Sequence, residues 1–285
     1  MTFAIFIIAG FIAVAAGLRI FAYFAFGGNY RTSAPALAYH HVVNSPGFPA
    51  TKITKSQFEE QMLELKRRDY WTLSPDEFIR LDGKENGRSV LVTFDDSYES
   101  AFTNAIPLLK SMDFTATFFI IAGFIGRKST WDVHLRPPAH MTGDEIRKAR
   151  DLGFTLGSHT LTHPDLTYLS PARLKEELSA SKKLLEDAFG QDIRFLAYPF
   201  GRYNERVKEA VRECGYKAAF TINRPVRQAA FDPYCIPVTG VYGIDSMRNF
   251  RSKLERNGCF WIDAMRDKII NRFASGTTLV KGSKA

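Results

Sequence analysis

The sequence predicts an α/β fold in which strands and helices alternate around a parallel sheet or a barrel of βα units. Three observations predict it. Short apolar runs of strand length recur between longer stretches with helical periodicity. Four of those stretches open on a helix-start signal: Thr54, Ser74-Pro75, Thr142 and Ser170-Pro171. Polar residues capable of chemistry follow three of the apolar runs directly, where the loops of such a fold build a site.

Ala36 to Val43 reads as the first strand. Its adjacent His40 and His41 point to opposite faces, so at most one of them faces a given site. Thr54, with Gln57 completing a capping box, starts a helix over Lys55 to Arg68, and Phe58, Met62 and Leu65 form its apolar stripe. Ser74-Pro75 opens a short helix that ends before Gly83. Strands follow over Ser89 to Phe94 and Ala116 to Ile121. Thr142 and Glu145 cap a helix to Leu152, and Phe154 to Gly157 returns as a strand. Ser170-Pro171 starts a long helix to Phe189. Arg194 to Tyr198 is the next strand, and a helix from Asn204 to Cys214 leads to a strand over Ala218 to Ile222.

The amino terminus carries a different signal. Phe3 to Leu18 is apolar and uncharged, Arg19 interrupts, and Ile20 to Phe26 resumes with aromatics. As a helix, residues 3–26 extend roughly 36 Å, enough to cross a bilayer. Arg19 then belongs near an interface, with Tyr23 and Phe24 at the headgroups. A cleaved signal segment is the competing reading, and the absence of a positive leading region favours an uncleaved anchor. The organisation expected is an anchor over 3–26, a linker over 27–35, one catalytic-size domain over 36–254, and a helix and tail over 255–285. Arg19 lies late in the span, Arg31, Lys52 and Lys55 follow it, and no Lys or Arg precedes it, which by the positive-inside rule points to the cytoplasm.

The net charge of +8 suits an anionic partner, but the Lys and Arg residues are dispersed with no aromatic-interleaved basic run, which argues against nucleic acid. Cys214, Cys235 and Cys259 form no CxxC pair and are too few for a disulfide framework.

The chemistry gathers at three strand ends. Val90 to Phe94 runs into Asp95-Asp96, Phe154 to Gly157 into Ser158-His159-Thr160-Leu161-Thr162-His163, and Phe195 to Tyr198 into Pro199-Phe200-Gly201. His159 and His163 are four apart, so on a helical turn both imidazoles face one ion. One carboxylate added to them makes a two-His, one-carboxylate set suited to Zn²⁺ or another divalent transition ion. Such an ion lowers the pKa of a bound water to about 7 and polarises a carbonyl oxygen. The second carboxylate of the Asp pair is then free to act as general base.

These segments resemble the first three motifs of the polysaccharide deacetylases, the NodB-homology group or carbohydrate esterase family four. The motifs are Thr93-Phe94-Asp95-Asp96, Ser158 to His163, and Tyr198-Pro199-Phe200-Gly201, and the likeness covers roughly Leu37 to Tyr242. The resemblance implies a distorted (β/α) barrel of about seven strands. It implies hydrolysis of N-acetyl groups on an amino-sugar glycan, such as poly-N-acetylglucosamine or peptidoglycan, by a hydrolase acting on C–N bonds other than peptide bonds. By position, Asp95 resembles the base, and Asp96, His159 and His163 the ligands of one divalent ion: Zn²⁺ first, Co²⁺, Ni²⁺ or Mn²⁺ otherwise. The Phe200 N–H, beside Tyr198, is implied as an oxyanion donor.

Two departures stand out. Ala197 occupies the place of an arginine that holds the base in many members. No histidine follows His163, so the carboxyl-terminal Leu-x-His motif that supplies the usual acid is missing. Tyr39-His40-His41-Val42 resembles instead the Tyr-His motif near the start of the biofilm poly-N-acetylglucosamine deacetylases, which makes His40 the expected acid and His41 the second choice. Trp131 with Asp132 is a candidate sugar subsite. His134 and His140 are expected in a long polar loop, solvated or at most touching substrate. Phe260 to Phe273 reads as a helix packing on the barrel. The expected place of the domain is outside the cytoplasmic membrane. The alternatives are a cytoplasmic-face deacetylase or deformylase of a lipid-linked sugar, and a non-catalytic glycan-binding module.

Overall fold

The capping signals of the sequence are realised as hydrogen bonds. Thr54, Ser74 and Thr142 each accept from the backbone N–H three residues on, and Gln57, Glu77 and Glu145 return the bond. The computed structural model describes residues 34–47, 49–81, 87–130, 137–222 and 231–255. In chain order the elements are β1 (Ala36–Tyr39), β2 (His41–Val43), β3 (Lys52–Thr54), α1 (Lys55–Arg67), β4 (Trp71–Leu73), α2 (Pro75–Arg80), β5 (Ser89–Phe94), α3 (Glu99–Asn104), α4 (Ile106–Ser111), β6 (Thr117–Ile120), α5 (Gly143–Asp151), β7 (Thr155–Ser158), α6 (Pro171–Phe189), β8 (Phe195–Ala197), α7 (Glu205–Glu213), β9 (Ala218–Thr221), β10 (Ile236–Pro237), β11 (Thr239–Gly240) and α8 (Met247–Glu255).

The main sheet is parallel throughout, in the order β10-β9-β8-β7-β6-β5-β1-β11, with β4 beside the first half of β5. Its two ends are one short segment. Residues 236–240 pair with β9 through Ile236 and Pro237 and with β1 through Thr239 and Gly240, so the sheet curls into a nearly closed barrel. Parallel strands joined by helices explain the buried, near-continuous apolar runs of the sequence.

The pleat sorts side chains into two cores. Ala36, Ala38, Leu91, Phe119, Phe195, Ala197, Ala218, Phe220 and Ile236 pack together inside the barrel, with Leu73 and Phe78 in the same cluster. The alternate residues Leu37, Tyr39, Val92, Phe94, Phe118, Leu156 and Leu196 pack outward against helix residues such as Phe58, Leu109, Ile146, Leu178 and Val211. Three phenylalanines fill the interior because their neighbours are small. A Cβ on Gly157 would stand 2.6 Å from the Phe119 ring.

The first strand differs from expectation. It breaks at His40 into β1 and β2, and β2 leaves the barrel to pair with β3 in a separate two-stranded sheet. Among the described residues no helix is long and apolar enough to cross a membrane. The anchor expected over 3–26, Trp131, Asp132, His134, Cys259 and the helix expected over 260–273 lie outside the described residues.

Candidate metal centre

Strand parity delivers the site. Inward positions along β1, β5 and β7 are Ala38, Thr93 and Gly157, so the next inward positions past the strand ends are His40, Asp95 and His159. Asp95 N–H donates to Tyr39 O at 2.9 Å and His159 N–H to Ile120 O at 2.7 Å, extending the ladders one residue further. Asp95, Asp96, His159 and His163 are all buried.

Asp96, His159 and His163 converge. Asp96 Oδ1 lies 3.5 Å from His159 Nε2 and 3.6 Å from His163 Nε2, and the two Nε2 atoms are 3.2 Å apart. Ligands bonded at about 2.1 Å to a tetrahedral ion stand roughly 3.4 Å from one another, so the trio has the spacing of three ligands on one ion. The charge states agree. Burial pushes the His159 ring down to about 3 and His163 well below its ordinary range, so both are neutral and present lone pairs. His159 Nδ1–H donates to Ala197 O at 2.8 Å, which assigns Nε2 as the free ligand atom. With both rings neutral, the contacts to the Asp96 carboxylate are not ion pairs. The donor set fits a divalent cation with two nitrogens and one oxygen.

His159 and His163 do not share a helical turn. Thr160 and His163 are left-handed at φ 67° and 63°, and the segment is a loop. Asp96 and Ser97 are left-handed as well, at φ 64° and 48°. Non-glycine residues in that region carry strain of about 1–3 kcal/mol each, and they persist where surroundings over-determine them. Ser97 Oγ donates to Phe119 O at 2.9 Å and Met141 N–H to Ser97 O at 2.9 Å, pinning the Asp95–Ser97 turn from two sides.

Residues 82–219 match the polysaccharide deacetylase family. The chain carries a domain of that family. A putative polysaccharide deacetylase of Bacillus subtilis is 33% identical over 190 residues, covering 66% of this chain; the chain spans 63% of that relative's length. A poly-beta-1,6-N-acetyl-D-glucosamine N-deacetylase of Staphylococcus aureus is 28% identical over 226 residues, 72% of this chain and 77% of the relative. Among solved structures, a Streptococcus pyogenes deacetylase in complex with acetate superposes with a TM-score of 0.69 at 27% identity, covering 79% of this chain and 99% of that one.

Within this deacetylase domain the remaining predicted residues separate. Asp95 stands outside the ligand trio, and burial pushes its carboxyl up to about 7. His40 is half-buried, close enough to lower the His159 and His163 pKa values, and burial takes its own ring down to about 4. His41 turns away from it. Its ring stacks on Tyr98 at 3.6 Å between centroids. The Phe200 ring packs edge-on against His163 at 4.7 Å. The Tyr198 hydroxyl donates to Tyr234 O at 2.9 Å and its ring stacks on Tyr203, so that side chain serves packing rather than the site.

His140 is buried rather than solvated. Its Nδ1–H donates to Asp96 O at 2.8 Å, and its ring stacks on Tyr98, continuing the column begun by His41. No local pattern marks His140 as buried, since its partner lies 44 residues away.

The carbonyl side of the histidine loop is held by the turn after β6, through Ala122 N–H to Thr160 O at 3.0 Å and Gly123 N–H to Leu161 O at 2.8 Å. A Cβ on Gly123 would meet Leu161 O at 2.6 Å. Gly123→Ala is therefore expected to displace the loop and weaken metal binding by about tenfold in a folded protein. Metal titration checks it, and an unchanged affinity would refute a rigidly seated loop.

Proposed function

We propose that the domain hydrolyses N-acetyl groups on an amino-sugar polymer of the poly-N-acetylglucosamine or peptidoglycan kind, and that it depends on one divalent metal ion. The observation that carries this is the convergence of Asp96, His159 and His163 beside Asp95 at the carboxyl ends of a parallel barrel of the deacetylase family. The names of the similar proteins, one acting on poly-N-acetylglucosamine and one solved with acetate, support the substrate class.

Asp96, His159 and His163 would hold the ion, which supplies Lewis acidity toward a water and an acyl oxygen. Asp95 takes the proton of the attacking water; a carboxyl near 7 suits that task at neutral pH. The Phe200 N–H would donate to the developing oxyanion, a contact typically worth about 10²–10³ in rate. Asp95, holding the proton taken from the water, supplies it to the leaving amine. Burial keeps His40 neutral at rest, so His40 acts as the acid only after taking up that proton as charge develops beside it.

Incubating the metal-loaded full chain with N-acetylated glycans should release acetate, and chelation should abolish the release. Acetate release that survives chelation would refute metal dependence. The apolar segment 3–26 supports a membrane anchor, and a cell-envelope glycan as substrate would put the domain outside the cytoplasm. The positive residues following it favour a second reading, a cytoplasmic-face enzyme on a lipid-linked sugar, and a periplasm-active reporter fused after Ala285 would exclude that reading.

A further inference from the structure

The two histidine ligands sit on a loop of unfavourable backbone conformation, and every N–H of that loop has an assigned acceptor. His159 N–H donates to Ile120 O, Thr160 N–H to Ser158 Oγ at 3.1 Å, and His163 N–H to Thr160 Oγ1 at 3.0 Å. The two in between, Leu161 N–H and Thr162 N–H, both donate to one oxygen of Glu177, at 3.0 and 2.9 Å, while Thr162 Oγ1–H donates to the other oxygen at 2.5 Å. Glu177 lies on α6, on the same face as the buried Leu174, Leu178, Ser181 and Leu185, and is itself 1% exposed.

A buried carboxylate is retained only where charge-assisted bonds offset its desolvation. Here three donors from the ligand loop do so. Successive N–H groups turned toward one anion form a concave nest, a shape that the left-handed Thr160 makes available. The same peptides are gripped on their carbonyl side by Ala122 and Gly123. A carboxylate has only acceptors, so the nest has one way to pair with it.

We propose that Glu177 is a positioning residue of the metal centre: its carboxylate, seated in the nest of Leu161 and Thr162, holds His159 and His163 at ligand spacing. It touches neither the ion nor the substrate, and the proposal rests on the reading of Asp96, His159 and His163 as ligands.

The test is Co²⁺ titration of the full metal-free chain, following the visible absorption bands whose position and intensity report ligand geometry, beside thermal melting. Wild type should bind one Co²⁺; if it binds none, the ligand assignment itself fails. Glu177→Ala should bind about 10- to 100-fold more weakly, with an altered spectrum. Glu177→Gln should stay within about threefold of wild type, because its amide oxygen accepts from both N–H groups and its NH₂ donates to Thr162 Oγ1. If the alanine variant does not fold, Glu177→Asp, which withdraws the carboxylate by one methylene, carries the same expectation of weakened binding. Wild-type affinity and spectrum in a folded Ala or Asp variant would overturn the proposal, as would a Gln variant as impaired as Ala. A purely structural role would lower the melting temperature and leave the spectrum of the folded protein unchanged.

Discussion

Asp95→Asn is expected to reduce acetate release by about 10²–10⁴-fold while the bound metal content stays that of the wild type. The two halves of this result separate the adjacent aspartates. Asp96 has its oxygen within 3.6 Å of both imidazoles, whereas Asp95 lies outside the ligand set. Asparagine matches aspartate in size and keeps the Asp95 backbone bond to Tyr39, so the strand end is undisturbed. What it loses is the ability to take a proton. Burial raises the Asp95 carboxyl toward neutrality, and a cation on the neighbouring trio would draw it down, so the two influences together would poise such a base for neutral pH. His40→Ala should cost less than Asp95→Asn, since the proton that Asp95 takes from the water can still reach the leaving amine without the His40 relay. Acetate assays with metal analysis of the same samples decide it. A loss under tenfold in Asp95→Asn would place the base elsewhere, and lost metal would make Asp95 a ligand.

Much of this site was legible because it depends on local chemistry. Three apolar strands ending in Asp-Asp, HxxxH and Pro-Phe-Gly lie within the four neighbouring strands β5 to β8 of a parallel sheet, and parity alone puts His40, Asp95 and His159 on one face. The capped helices were legible for the same reason. The rest depends on contacts distant in sequence. β3 and β4 are three residues long and β10 and β11 two, too short for a period to show, yet β10 and β11 close the barrel. The spacing of His159 and His163 suits a helical turn, but left-handed Thr160 and His163 bring the nitrogens together another way. His140 gave no local sign of its bond to Asp96. Glu177 did leave one: it stands on the apolar stripe of α6, where a charge is buried only if it has partners.

Lys253→Met is expected to destabilise the domain by about 3–5 kcal/mol, a drop of roughly 10 °C or more in melting temperature for a domain of this size. Lys253 and Asp245 both have side chains with no exposure and meet at 2.6 Å. The ammonium also donates to Gly240 O at 2.6 Å and lies 5.0 Å from the centre of the Tyr242 ring, while Asp245 Oδ2 accepts from Tyr242 N–H at 2.9 Å. Gly240 belongs to β11, whose pairing with β1 closes the barrel, and His40 directly follows β1. The pair thus ties α8 to the barrel seam beside the site. Methionine fills the space of the lysine stem but leaves the Asp245 charge without its buried cation, and that orphaned charge, more than the lost attraction, makes the substitution costly. Lys253→Met with Asp245→Asn removes the orphan and keeps an acceptor for Tyr242 N–H, so it should recover at least half of the loss. Denaturant unfolding of the four proteins measures the coupling. If the double variant were no more stable than Lys253→Met, packing of the lysine stem rather than the ion pair would hold the seam.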